Sequence, residues 1–171
     1  MRRRLYILAG HTNSPTGDEG AVVNSTSTHY IEGNLTVELR DLIVKELNVM
    51  DAIVYTDANP LTLNKVLLWL KKILKISDIV IDLHFNSFTS TKANGTEVIV
   101  ADSPTAFEKT LALDILHTTT DTLHTKSRGV KSETESAHGT LAVMRLNCEV
   151  LLLETCFLSN PQDMVNYMKY K

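Results

Sequence analysis

The sequence predicts an α/β fold, a single layered domain whose mostly parallel twisted sheet carries helices on both faces. Two observations carry that expectation. Short apolar and β-branched runs alternate along the chain with segments whose apolar residues recur every three to four positions, the pattern of strands alternating with helices. The most strand-like run, Ile79 to Ser87 (Ile-Val-Ile-Asp-Leu-His-Phe-Asn-Ser), begins β-branched and ends abruptly in polar side chains. With 171 residues and 43% hydrophobic content, the chain supports one core, and one domain over 1–171 is expected.

Taken in order, Leu5 to Ala9 is a short apolar run ending at Gly10-His11, hence a first strand. Thr12 to Thr28, rich in Gly, Ser, Thr, Asn and Asp, reads as a long loop with His11 at its root. Uninterrupted loops beyond about 12 residues are uncommon in compact domains and tend to be functional. From Glu32 the spacing of Leu35, Leu39, Leu42, Ile43 and Leu47 predicts a helix. Glu32 falls on its apolar stripe in the first turn, where a carboxylate either complements the helix dipole or points inward as a metal ligand.

Ala52 to Thr56 reads as a strand, and Asn59-Pro60 as the start of a helix with Leu63, Val66, Leu67, Leu70, Ile73 and Leu74 on its apolar face. Lys71, Lys72 and Lys75 form its solvated face, and Trp69 packs at the core or its rim. After the Ile79 to Ser87 strand, Gly95 to Ala101 is a further strand. Ser103-Pro104 opens a long helix to about Leu123, with Phe107, Leu111, Ile115 and Leu123 as its stripe. His117 and His124 share a face of that helix, and a solvated face is the reading adopted for them. Thr125 to Gly139, with Arg128 and His138, reads as a polar rim loop. Leu141 to Met144 and Glu149 to Leu153 read as the last strands, the second ending at Glu154. Asn160-Pro161 then caps a closing helix.

Charge and composition exclude several classes of function. The net charge is −3 with scattered Lys and Arg, so no nucleic-acid footprint exists. Met-Arg-Arg-Arg precedes too short an apolar run for a signal peptide, and no stretch approaches the roughly 18 apolar residues of a membrane span. A chain made in the cytoplasm, without membrane insertion and monomeric, is expected. Cys148 and Cys156 have apolar neighbours and read as free buried thiols.

Three predicted strands end in reactive side chains, His11, His84 and Glu154, and Glu32 opens the first helix. In open α/β sheets ligands bind beyond the carboxyl ends of the strands, so these groups can converge on one crevice. Two neutral imidazoles and one carboxylate form the ligand set of a catalytic zinc site. A further carboxylate would serve as general base, taking a proton from water and passing it to a leaving amine. Amide hydrolysis is the chemistry this set suits, although no compact His-Glu-x-x-His motif is present.

The ordered segments Ala9-Gly10-His11, Gly20-Ala21, Ile31-Glu32 with Asn34-Leu35, Leu83-His84-Phe85-Asn86-Ser87, Gly95-Thr96-Glu97-Val98, Arg128-Gly129-Val130, Leu141-Ala142-Val143-Met144-Arg145, and Leu152-Leu153-Glu154-Thr155 with Phe157-Leu158-Ser159-Asn160 run along nearly the whole chain. In these the chain resembles the zinc-dependent N-acetylmuramoyl-L-alanine amidases, the family of bacterial cell-wall amidases and phage endolysin catalytic domains. The resemblance implies that His11, Glu32 and His84 bind Zn2+ and that Glu154 is the catalytic carboxylate. It implies peptidoglycan as substrate, cut at the amide between the lactyl group of muramic acid and L-alanine. Such a chain would reach the wall after release or export, as a phage lysin or a wall-remodelling enzyme, with no separate wall-binding domain. Asn86 and Arg128 are candidate substrate contacts, with loop-shaping or structural roles as their alternatives. The chain departs from the family's common pattern at Thr12-Asn13-Ser14-Pro15, where paired glycines often follow the histidine. It departs again at Asp82, where serine is common, and at Cys156, where glycine is common. Other readings are a different zinc amidohydrolase on the same scaffold and a catalytically silent wall-binding module, the latter disfavoured by the presence of Glu154.

Overall fold

A computed structural model describes residues 3–11, 18–24, 29–57, 61–137 and 139–171. The elements are β1 (Arg4–Ala9), β2 (Val22–Asn24), β3 (His29–Ile31), α1 (Glu32–Val49), β4 (Ile53–Thr56), α2 (Leu63–Ile73), β5 (Ile79–Asn86), β6 (Thr96–Val100), α3 (Ala106–Leu123), β7 (Ser127–Ser132), β8 (Glu149–Phe157) and α4 (Pro161–Tyr170). Two 3₁₀ turns, Glu133–Glu135 and Ala142–Arg145, lie between β7 and β8.

The main sheet has six strands in the order β4-β1-β5-β8-β6-β7. The first four run parallel, β6 is antiparallel to β8, and β7 is parallel to β6. The expected layered α/β domain is therefore the observed one, with a single antiparallel step. Alternation along the strands sorts their side chains to the two faces. Ile7, Leu83, Leu151 and Leu153 pack under α1 and α3. Tyr6, Leu8, Val80, Val150 and Leu152 face α2 and the 3₁₀ turn at Ala142–Arg145. α4 closes the first face over Phe85 and Cys156. Buried on both faces, β5 and β8 must read as continuous apolar runs, and any polar residue within them stands out.

The structure differs from several sequence expectations. Leu141 to Met144 is mainly a 3₁₀ turn rather than a strand, bridged to Glu133 by the Arg145 guanidinium and the Leu141 N–H. The supposed rim loop after Thr125 contains edge strand β7, whose Ser-Arg-Gly-Val-Lys-Ser sequence lacks an apolar alternation because it pairs on one side only. The polar loop before α1 holds the hairpin β2–β3. α3 starts at Ala106, where Thr105 and Glu108 form a capping box, and its buried positions are Glu108, Ala112, Leu116, Thr120 and Leu123 rather than Phe107. The small Ala112 and Thr120 bring the helix close to the sheet. β8 continues past Glu154 to Phe157. α2 begins at Leu63 after Thr62, and the Asn59-Pro60 cap and His138 lie outside the described residues. Asn160 and Pro161 cap α4 as expected. No helix among the described residues is long and apolar enough to cross a membrane.

One buried ion pair anchors the edge of the sheet near the site. Arg40 Nη1 donates to Asp57 Oδ1 at 3.0 Å, both side chains are 6% exposed, and the same oxygen accepts the Ala9 N–H at the end of β1. Asp57→Ala takes this carboxylate from the buried Arg40, which keeps its bonds to the exposed Asp41, so a cost of about 1–3 kcal/mol is expected. A lower denaturant midpoint at unchanged slope is the expected reading; a midpoint equal to that of the parent chain would rule out this role.

Candidate metal centre

β1 and β5 are neighbours, and where β1 ends the Gly10 N–H donates to the Leu83 carbonyl at 2.8 Å. That bond carries the chain past the end of β5 and sets His11 beside His84, with ring centroids 4.9 Å apart at 84°. Glycine is required at position 10, because a Cβ there would lie 2.1 Å from His84 Nε2. Gly20 has φ +70°, and a Cβ on it would lie 2.6 Å from both Glu32 Oε2 and the His11 ring. Two glycines thus line the places where the imidazoles and the carboxylate sit.

Glu32 is the first residue of α1, with no side-chain cap before it. The Glu32 and Gly33 N–H groups donate instead to the carbonyls of Ala21 and Glu19. Its own carboxylate accepts the Ala21 N–H at 2.8 Å and the Phe85 N–H at 3.0 Å, which fix both oxygens. Glu32 Oε1 lies 3.1 Å from His84 Nδ1, and Oε2 lies 3.5 Å from His11 Nε2. One donor atom from each of His11, Glu32 and His84 falls within 4.8 Å of the others. Ligands about 2.0–2.2 Å from one zinc ion in a tetrahedral shell are themselves roughly 3–3.5 Å apart. The donor set suits such an ion, with one oxygen of the Glu32 carboxylate turned to each imidazole.

The electrostatics favour positive charge at this point. Burial raises the Glu32 carboxyl, but the His84 hydrogen bond, the His84 and His11 charges and the Ala21 N–H outweigh it and hold the group below its ordinary range. Burial lowers His84, yet Asp82, Glu32 and Glu154 around it push its ring well above the usual imidazole value. The imidazoles hold Glu32 ionised, and the carboxylates of Asp82, Glu32 and Glu154 make the surroundings of His84 favourable to a cation.

Glu154 is 2% exposed and sits opposite His84 in the pairing of β5 with β8. It lines the same cavity of about 340 Å³ as Gly10, His11, Glu32, His84 and Asn86. Beyond it the register shifts, His84 pairing with Glu154 but Asn86 with Phe157, so β8 carries an extra residue there. The bulge turns Cys156 to the other face, where it is fully buried among Phe85, Leu158, Met164 and Tyr167. Burial drives its thiol well above the ordinary range. Cys156 is a packing residue and does not face the cavity. Cys148 is half-buried and also free.

Asn86 and Arg128 meet at a residue that the sequence did not single out. Asn86 Nδ2 donates to Glu97 Oε1 at 2.9 Å, while Arg128 Nε at 2.8 Å and Lys131 Nζ at 2.5 Å both reach Glu97 Oε2. Glu97 is 1% exposed and lies opposite Glu154 in the antiparallel pairing of β6 with β8. Burial raises its carboxyl, but Lys131 and Arg128 outweigh this and hold it below the ordinary range. The cations thereby balance a second carboxylate beside Glu154. An acidic residue inside the run Thr-Glu-Val-Ile-Val was the available signal. Asp82, also buried, faces the site, with Oδ2 3.5 Å from His84 Nε2. His124, by contrast, is the left-handed C-cap of α3 and its ring meets Tyr170 at 4.7 Å.

A search of curated proteins finds no match. Among solved structures, the chain is similar to an N-acetylmuramoyl-L-alanine amidase from Clostridium difficile 630, with TM-score 0.78 and 18% identity over 99% of this chain and 88% of that one. It is similar to the catalytic domain of CwlV, an N-acetylmuramoyl-L-alanine amidase from Bacillus (Paenibacillus) polymyxa var. colistinus, with TM-score 0.73 and 20% identity over 99% of each chain. The catalytic domain of the CD27L endolysin targeting Clostridia Difficile gives TM-score 0.73 and 17% identity, over 99% of this chain and 90% of that one. At such identities these likenesses establish the fold. The model of one family, described as N-acetylmuramoyl-L-alanine amidase, matches residues 5–171, from the apolar start of β1 through all four side chains that surround the cavity to the last residue. The chain belongs to the N-acetylmuramoyl-L-alanine amidase family.

Proposed function

We propose that this chain hydrolyses the amide between the lactyl group of N-acetylmuramic acid and L-alanine in peptidoglycan, with zinc held by His11, Glu32 and His84 and with Glu154 as its acid and base. The observation that supports this most is the convergence of two imidazoles and a backbone-anchored carboxylate within 4.8 Å, in one cavity with a further glutamate. A bound zinc ion supplies Lewis acidity, polarising a carbonyl and acidifying water. Glu154 takes a proton from water as the oxygen adds to the lactyl carbonyl carbon, then delivers it to the alanine nitrogen as the C–N bond breaks. The cavity walls at Leu63, Leu141, Ala142 and Val143 give the acyl and sugar portions an apolar surface. Asn86 lines the cavity and is placed to meet substrate, whereas Arg128 supports Glu97 and lies over the Phe157 ring. In this reading the chain works on the wall after release or export, whether as a lysin or in remodelling.

Digestion of purified peptidoglycan tests the reaction. New L-alanine amino termini without new reducing sugars are expected; reducing ends alone, or no product, would refute the amidase reading. Gly10→Ala offers an independent check, because the added methyl must displace the His84 ring. A misplacement of about 1 Å can cost 10²-fold in rate, and a loss of at least that size is expected with the far-UV spectrum unchanged.

A further inference from the structure

The arrangement of charges around His84 extends one shell beyond the proposed ligands. We propose that Asp82 is a positioning residue for the metal centre, its carboxylate accepting the Nε2–H of His84 so that Nδ1 is presented beside Glu32. The inference rests on the zinc reading of His11, Glu32 and His84. Asp82 lies two positions before His84 on β5 and so projects from the same face. His84 Nδ1 is 3.1 Å from Glu32 Oε1, and Nε2, the other ring nitrogen, is 3.5 Å from Asp82 Oδ2.

An imidazole that gives one nitrogen to a metal carries its proton on the other. A carboxylate on that proton fixes the tautomer and the ring plane and makes the ligating nitrogen more basic. Asp82 is 5% exposed, and a buried carboxylate requires compensation. Among the described residues, His84 is the one basic side chain that ion-pairs with it. His11 repeats the pattern on a smaller scale. Its Nε2 faces Glu32 Oε2 at 3.5 Å and its Nδ1 faces Asp18 Oδ2 at 3.2 Å. The Asp18 side chain is 78% exposed, however, and water screens it, so Asp82 is the stronger of the two.

Zinc affinity measured by competition with a chromogenic chelator tests the proposal on the parent chain, Asp82→Ala and Asp82→Asn, with metal-free melting temperatures alongside. Asp82→Ala is expected to weaken zinc by about 10–100-fold. Asp82→Asn, which still accepts a hydrogen bond but lacks the charge, should lose less. In the zinc-loaded parent chain, the imidazole ¹⁵N spectrum should show His84 protonated at Nε2, with that proton exchanging faster in Asp82→Asn. Both variants binding zinc within about twofold of the parent chain, or His84 protonated at Nδ1, would overturn the role of Asp82. Should Asp82→Ala not fold, Asp82→Asn decides by the same two readouts. A parent chain that binds no zinc overturns the site reading itself, which separates the two failures.

Discussion

Glu154→Gln is expected to slow the release of L-alanine amino termini from peptidoglycan by about 10²–10⁴-fold, the contribution typical of a positioned general acid and base. The substitution keeps the shape of the side chain and removes its ability to take a proton. Nothing in the backbone should change, because residue 154 sits inside β8, paired with β5 on one side and β6 on the other. Zinc content should also be retained, because the proposed ligands are His11, Glu32 and His84. Loss of rate with metal intact is therefore the signature of a role in proton transfer. Full lytic activity in this variant would exclude the assigned mechanism, and loss of rate together with loss of metal would move Glu154 into the ligand set.

His84→Ala is expected to abolish both activity and bound metal. Its ring is 15% exposed and stands between Glu32 and Asp82, so its removal takes away one of three ligands and leaves two buried carboxylates facing a void. Losing a ligand lowers zinc affinity sharply, and repulsion among Glu32, Asp82 and Glu154 is no longer relieved at that point. β5 itself should persist, as the Val80, Leu83 and Phe85 side chains that anchor it lie elsewhere in the core. A folded variant, inert toward peptidoglycan and free of metal, is the predicted outcome.

Much of the fold was legible because its central elements are buried and locally consistent. The Ile79 to Ser87 run, the Leu35 to Leu47 periodicity and the Asn160-Pro161 cap each specify an element by composition alone, and each is found. Edge and surface elements were not legible, because tertiary pairing rather than local pattern creates them. β7 is polar throughout and exists because β6 offers it a partner. The hairpin β2–β3 consists of strands of three residues, too short for any alternation to show. The stripe of α3 was misplaced because Glu108, a charged residue, is buried there, accepting the Val150 N–H as well as closing its own cap.

The candidate site divides along the same line. His11, Glu32, His84 and Glu154 stood out because each is a reactive group at the edge of an apolar element, and the structure brings all four to one cavity. Glu97 and Asp82 are visible as acidic residues in strand-like runs, but their roles depend on which face each takes and what it meets there, Arg128 and Lys131 for the first and His84 for the second. The bulge that swings Cys156 away from Glu154 was likewise invisible, since one extra residue in β8 is defined only by its register against β5.

In the proposed mechanism His11, Glu32 and His84 hold a zinc ion that the chain needs for catalysis. Elemental analysis of the purified parent chain and of His84→Ala tests it most directly. About one zinc per chain is expected in the parent and a small fraction of that in the variant. Stoichiometric zinc persisting in folded His84→Ala would contradict it.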